Sequence, residues 1–128
     1  MYTMIIRLSF FLSALLTLAI VHNVATTFFL YWKYLWFDIP MHLLGGLCVA
    51  LGISILPFFR IHLPHRFGTI WGYLFVVIIA GIVWEWFEVV ADISVFDETF
   101  ILDTSLDLLM DVIGGIVGYH IVRSTQNF

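Results

Sequence analysis

Residues 103–118 read DTSLDLLMDVIGGIVG. Asp103, Asp107 and Asp111 recur every fourth residue, and Gly114 and Gly118 extend the row. That spacing puts side chains on one face of a helix. The remaining positions are mostly apolar, so the helix is greasy on every side but one. Small residues let helices approach closely where no water intervenes. A face that is acidic above and bare below is therefore predicted to lie against other helices, with its acids pointing inward. Two further stretches repeat the pattern. DIPMHLLGG (38–46) sets Asp38 and His42 four apart, with Gly45 and Gly52 continuing that face. GIVWEWFEVVAD (81–92) sets Gly81, Glu85, Glu88 and Asp92 on one stripe.

Composition says what surrounds these stripes. The 128-residue chain is 62% hydrophobic and 11% charged, with a mean hydropathy of +1.08. A soluble domain is about half apolar and about a quarter charged, so this chain belongs in lipid. Its length suits one helical transmembrane unit over residues 1–128. The basic stretches are too short for a nucleic-acid footprint. The lone Cys48 excludes an internal disulfide and, among small apolar neighbours, reads as packing.

Four apolar spans are predicted, at Leu8–Leu30, Ile39–Phe58, Gly68–Val90 and Thr104–Val122. The first is longer than the ~20 residues needed to cross a bilayer. It is also too long for a typical signal-peptide core, and no clean cleavage site follows. Pro40 fits a first helical turn, and Asp103 or Thr104 fits an N-cap. Arg7, Arg60, Arg66 and Arg123 fall on one side of this arrangement and Lys33 on the other, which makes both termini cytoplasmic. Tyr31, Trp32, Tyr34, Trp36, Trp84 and Trp86 then form an outer aromatic belt, and Trp71 and Tyr73 an inner one. Gly68-x-x-x-Gly72 and Gly114-x-x-x-Gly118 read as helix-packing signals that could also support a homo-oligomer.

All nine acidic residues lie toward the outer side. Asp97 and Glu98 read as loop residues in water, and an acid near a helix end is often interfacial. Glu85, Glu88, Asp107 and Asp111 lie within or near apolar runs, where ionisable groups are functional-site candidates by default. With a rise of ~1.5 Å per residue, Asp111 lies about 12 Å deeper than Asp103, near the midplane of a core about 30 Å thick. Asp38, His42, Glu85, Glu88, Asp103, Asp107 and Asp111 are expected to converge as candidate metal ligands, with Asp92 beside them. No lysine or arginine shares their stripes, so the carboxylates need a bound cation or shared protons. A mixed His/carboxylate set suits Zn, Mn or Fe, and a purely carboxylate subset suits Mg or Ca. His22 and Asn23 could reach the pocket, although a lone His there is more often packing.

At these three stretches the chain resembles the YjdF-like family of bacterial inner-membrane proteins and, more distantly, VanZ-like proteins. The matching residues are Asp38, His42 and Gly45, then Glu85 to Glu88, then Asp103 and Thr104 with Asp107 and Asp111. The resemblance covers roughly Asp38 to Gly118. It implies a polytopic inner-membrane protein with a polar intramembrane site, and no particular activity. Three functions fit the residues. One is a bundle that binds or transports a divalent cation or protons through an outward-facing pocket. The second is a metal-dependent enzyme acting on a lipid or lipid-linked substrate, with His42, Glu85 or Glu88 as candidate general base. The third is a structural subunit whose polar core fixes helix register.

Overall fold

The computed structural model describes residues 2–91 and 99–125. Among these residues the structure is all-helical: α1 (Tyr2–Thr27), the one-turn α2 (Leu30–Lys33), α3 (Asp38–Ile55), α4 (Ile70–Val90) and α5 (Phe100–Ser124), with short 3-10 turns between. The first helix stops at Thr27 because Phe29 turns into the left-handed region, with φ 55°. Thr69 caps α4, its hydroxyl accepting from the Gly72 amide at 3.2 Å. The expected cap at Asp103 or Thr104 is corrected. The last helix begins a turn earlier, at Phe100, with no side-chain cap. Asp92, Asp97 and Glu98 lie outside the described residues.

Three of these helices are long and apolar enough to cross a membrane: Tyr2–Thr27, Asp38–Phe59 and Ile70–Val90. The fourth expected span corresponds to α5, the helix that carries Asp103, Asp107 and Asp111. Large apolar side chains stand exposed along α1 and α4, including Leu16, Ile20, Phe75, Val83 and Trp86. An aqueous surface rarely tolerates apolar patches of that extent; lipid does.

The helices alternate in direction. The start of α3, the end of α4 and the start of α5 meet at one end, where Thr104 bonds Glu85 and His42 faces both Asp38 and Glu85. At the other end the Arg7 Nε–H donates to Thr125 Oγ1 at 3.0 Å, tying the first turns of α1 to the exit of α5. Between them α3 is central and packs most extensively against α5.

Glycine sets that approach. A Cβ at Gly46 would fall onto the backbone carbonyl of Asp111, and one at Gly114 onto the carbonyl of Leu43. At Gly118 it would stand 2.6 Å from Ala50 Cβ. Gly115 faces the other way, toward Val77 of α4. The consecutive glycines of α5 thus serve two neighbours about 100° apart around the helix. Two expectations change. Gly52 packs under Phe11 of α1, away from the acidic face. Gly72 admits the backbone of Arg66 and Phe67, and Gly68 meets nothing, so that pair is not a helix-packing motif.

Below the polar end lies an apolar core of Ala50, Leu51, Tyr73, Val77 and Val122. Tyr73 is buried there, edge-on to Tyr119 with centroids 5.2 Å apart, and is no interfacial anchor. Gly46→Ala should destabilise the protein by about 1–3 kcal/mol through overpacking, despite a propensity gain of about 1 kcal/mol. Gly68→Ala, made into open space, should leave the thermal midpoint in detergent within error. Equal midpoints for the two variants would contradict this packing.

Candidate metal centre

His42 anchors the site. It sits one turn into α3, where Gly45 and Gly46 bring α5 close enough for Asp111 to reach it. Nδ1 lies 3.3 Å from Asp111 Oδ2. Asp111 in turn fits because α4 carries no side chain at position 81: a Cβ on Gly81 would stand 2.5 Å from Oδ2. An ionised carboxylate only accepts, so Nδ1 carries the proton and donates to it. In the neutral imidazole Nε2 then keeps the lone pair. It points between two carboxylates, 3.7 Å from Glu85 Oε1 and 3.8 Å from Asp38 Oδ2.

Two of the other carboxylates, Glu85 and Glu88, are each held by one atom. Glu85 Oε2 accepts from the Thr104 hydroxyl at 2.8 Å. Glu88 Oε1 accepts from the Trp84 indole N–H at 2.8 Å. Among the described residues, the buried side-chain atoms without a hydrogen-bond partner are His42 Nε2, Glu85 Oε1 and Asp107 Oδ1. Their residues are 5%, 8% and 3% exposed. Buried polar atoms are nearly always bonded in folded proteins, so three orphans at one point call for a common partner. The same three residues can bring ligand atoms within 4.8 Å of one another, and so can Asp38, His42 and Glu88. Atoms bound to a tetrahedral ion at about 2.0–2.1 Å stand about 3.3 Å apart. The 3.7 Å between Nε2 and Oε1 needs only a few tenths of an ångström of closure.

Of the seven candidate ligands, the structure brings Asp38, His42, Glu85, Glu88 and Asp107 together as possible donors. Asp111 backs His42 from behind. Asp103 is exposed at the mouth and joins neither group. His22 and Asn23 join neither group. His22 is exposed and pairs with the Tyr31 hydroxyl at 2.9 Å, and Asn23 bonds back to Ala19 of its own helix. Tyr31 lies near the rim, where burial, with the charges of Asp38 and Glu88, pushes its phenol up to about 12. Two supporting residues escape a sequence reading. Thr104 looks like a cap and Trp84 like a belt residue, yet each orients a carboxylate. The only available signal is position: each falls one turn from an acid, or faces one across a helix pair.

This fold and this buried group define an all-helical membrane protein with a histidine–carboxylate centre. The chain belongs to the predicted membrane protein family DUF2238, whose model matches residues 2–127. That match carries neither the YjdF-like nor the VanZ-like name that the motifs resemble. No curated protein and no solved structure matches the chain.

With no cation bound, the crowded carboxylates repel one another. Asp107→Asn should therefore raise the thermal midpoint of chelator-treated protein, by about 0.5–2 kcal/mol in stability. A lowered midpoint would mean that the carboxylates already share protons.

Proposed function

We propose that this chain is a four-span helical bundle of the bacterial inner membrane, both termini cytoplasmic, which holds a divalent cation in the half facing the periplasm. The observation that carries the reading is the convergence of three unpartnered buried atoms, His42 Nε2, Glu85 Oε1 and Asp107 Oδ1. None of the three has a hydrogen-bond partner, and a cation between them would engage all three at once. The outer bonds are arranged as metal sites arrange them. A carboxylate on the far nitrogen of a ligating histidine fixes its tautomer and orientation, and here Asp111 occupies that place. Thr104 does the same for Glu85.

The donor set selects the ion. One imidazole nitrogen with two or three carboxylates suits a first-row divalent ion such as Zn2+ or Mn2+ over Mg2+, which prefers oxygen alone and keeps its waters. A bound ion would also relieve the charge problem: no lysine or arginine lies on α3 or α4, and Arg123 is at the far end of α5. Binding, rather than passage across the membrane, is favoured by the apolar core beneath the site, where Leu51, Val77 and Tyr73 fill the inner half of the bundle. The four-span arrangement is supported by the alternation of helix direction and by the arginines at one end.

Elemental analysis of detergent-purified protein tests the reading, beside a Glu85→Gln/Asp107→Asn variant and after reloading each with Zn, Mn or Mg. Near-stoichiometric zinc or manganese in the wild type, lost in the variant, is expected. Asp111→Asn should retain the site with affinity lowered about 10–100-fold. No metal in any sample after reloading would sink the proposal and favour shared protons.

A further inference from the structure

The two possible triads share one histidine. Asp38 and Glu88, which complete the first, are half-buried; Glu85 and Asp107, which complete the second, are sealed. Helical rise places Glu88 about 4.5 Å further out along α4 than Glu85, and Asp38 about 6 Å further out along α3 than His42. The triads are therefore stacked along the bundle axis, one at the mouth and one beneath it. Nε2 stands nearly midway, 3.8 Å from Asp38 Oδ2 and 3.7 Å from Glu85 Oε1. The other ring nitrogen is engaged by Asp111. A neutral imidazole has one lone pair to offer, so two ions cannot both take it.

We infer that the two triads are successive stations for one divalent ion, a conclusion that rests on the metal-binding reading above. The outer station of Asp38 and Glu88 receives the hydrated ion. The ion then moves inward by exchanging those two carboxylates for Glu85 and Asp107, while Nε2 stays bound throughout. Two carboxylates are released and two are gained, so the ligand charge around the ion is unchanged by the step. What favours the inner station is burial, since the same attraction is stronger where water is excluded. The tethers fit these roles. Trp84 fixes Glu88 at the mouth, and Thr104, on the facing helix, fixes Glu85 below. Asp103, exposed one turn above Asp107, extends the acidic line into water and raises the local cation concentration.

Stopped-flow mixing of chelator-stripped, detergent-purified full chain with Zn2+, read with a competing fluorescent zinc chelator, separates the stations. Asp38→Asn/Glu88→Gln should slow uptake and release alike, by about tenfold, with the equilibrium affinity changed far less, because the lost station lies on the path in both directions. Asp38→Glu should restore the rate. Glu85→Gln/Asp107→Asn should lose tight binding yet keep a fast, weak phase that the outer variant lacks. Gel filtration and thermal midpoints establish that each variant is folded, and single substitutions replace any double that is not. Equal losses of affinity from the outer and inner pairs, with uptake unaffected, would make the cluster one enlarged site and overturn the inference. Binding of two ions per chain would also overturn it, in favour of a two-ion centre. A wild type that binds no Zn2+ would instead sink the metal reading itself, and this inference with it.

Discussion

The backbone contact between α3 and α5 is the constraint on which the rest depends. At Gly46 and Gly114 the two helices touch without side chains between them. Membrane helices gain nothing from excluding lipid, which is as apolar as their own surfaces, so close packing and polar contacts have to hold them. That approach also brings Asp111 to within 3.3 Å of His42. Any larger residue at position 46 would push away the helix that bears the orienting carboxylate. The third helix obeys the same logic, because the bare position at Gly81 is where Asp111 Oδ2 sits. Glycine here is a means of placing a charge.

Electrostatics then explains why such placement is rare. Two unit charges about 4 Å apart interact by about 4 kcal/mol at an effective dielectric of 20. A protein's whole stability is about 5–15 kcal/mol, so a few uncompensated like-charge pairs of that size would exhaust it. The ion pairs among the described residues converge on a single imidazole, shared by Asp38, Glu85 and Asp111. One imidazolium offsets one carboxylate, and several surround it. A divalent ion offsets two and leaves the imidazole neutral, with its Nε2 lone pair engaged. That arithmetic, together with the unpartnered buried atoms, supports the proposed metal centre over a merely structural polar core.

Much of this was legible in the sequence. Four-residue spacing of Asp103, Asp107 and Asp111, followed by Gly114 and Gly118, is enough to predict a buried acidic face. Asp38, His42, Glu85 and Glu88 follow from the same periodicity. What periodicity cannot resolve is one step of 100°. Gly45 and Gly46 are adjacent, and only packing decides that Gly46 meets the neighbouring backbone. The same uncertainty conceals Gly115, which turns toward α4, and sends Gly52 to α1. Roles defined by a partner across the bundle are harder still. Thr104 resembles a cap until Glu85 is placed opposite it, and Tyr73 resembles a membrane anchor until Tyr119 covers it.

The two ends of the bundle differ for one reason. Helices with alternating direction bring the start of α3, the end of α4 and the start of α5 together, and the acids of all three stretches lie near those ends. The opposite halves of the same helices hold Ala50, Leu51, Val77 and Val122, packed with the Tyr73 ring. A charge moving inward past Asp111 would meet no carboxylate among the described residues of that layer, and the cost of an unpaired ion in hydrocarbon is several kcal/mol or more. Arg7 closes the far end against Thr125, holding the peripheral α1 to α5. The site is therefore one-sided by construction: open through half-buried Asp38 and Glu88, closed beneath Asp111. Were an ion bound as proposed, it would enter and leave by the mouth, which suits a bundle that retains its ion better than one that passes it on.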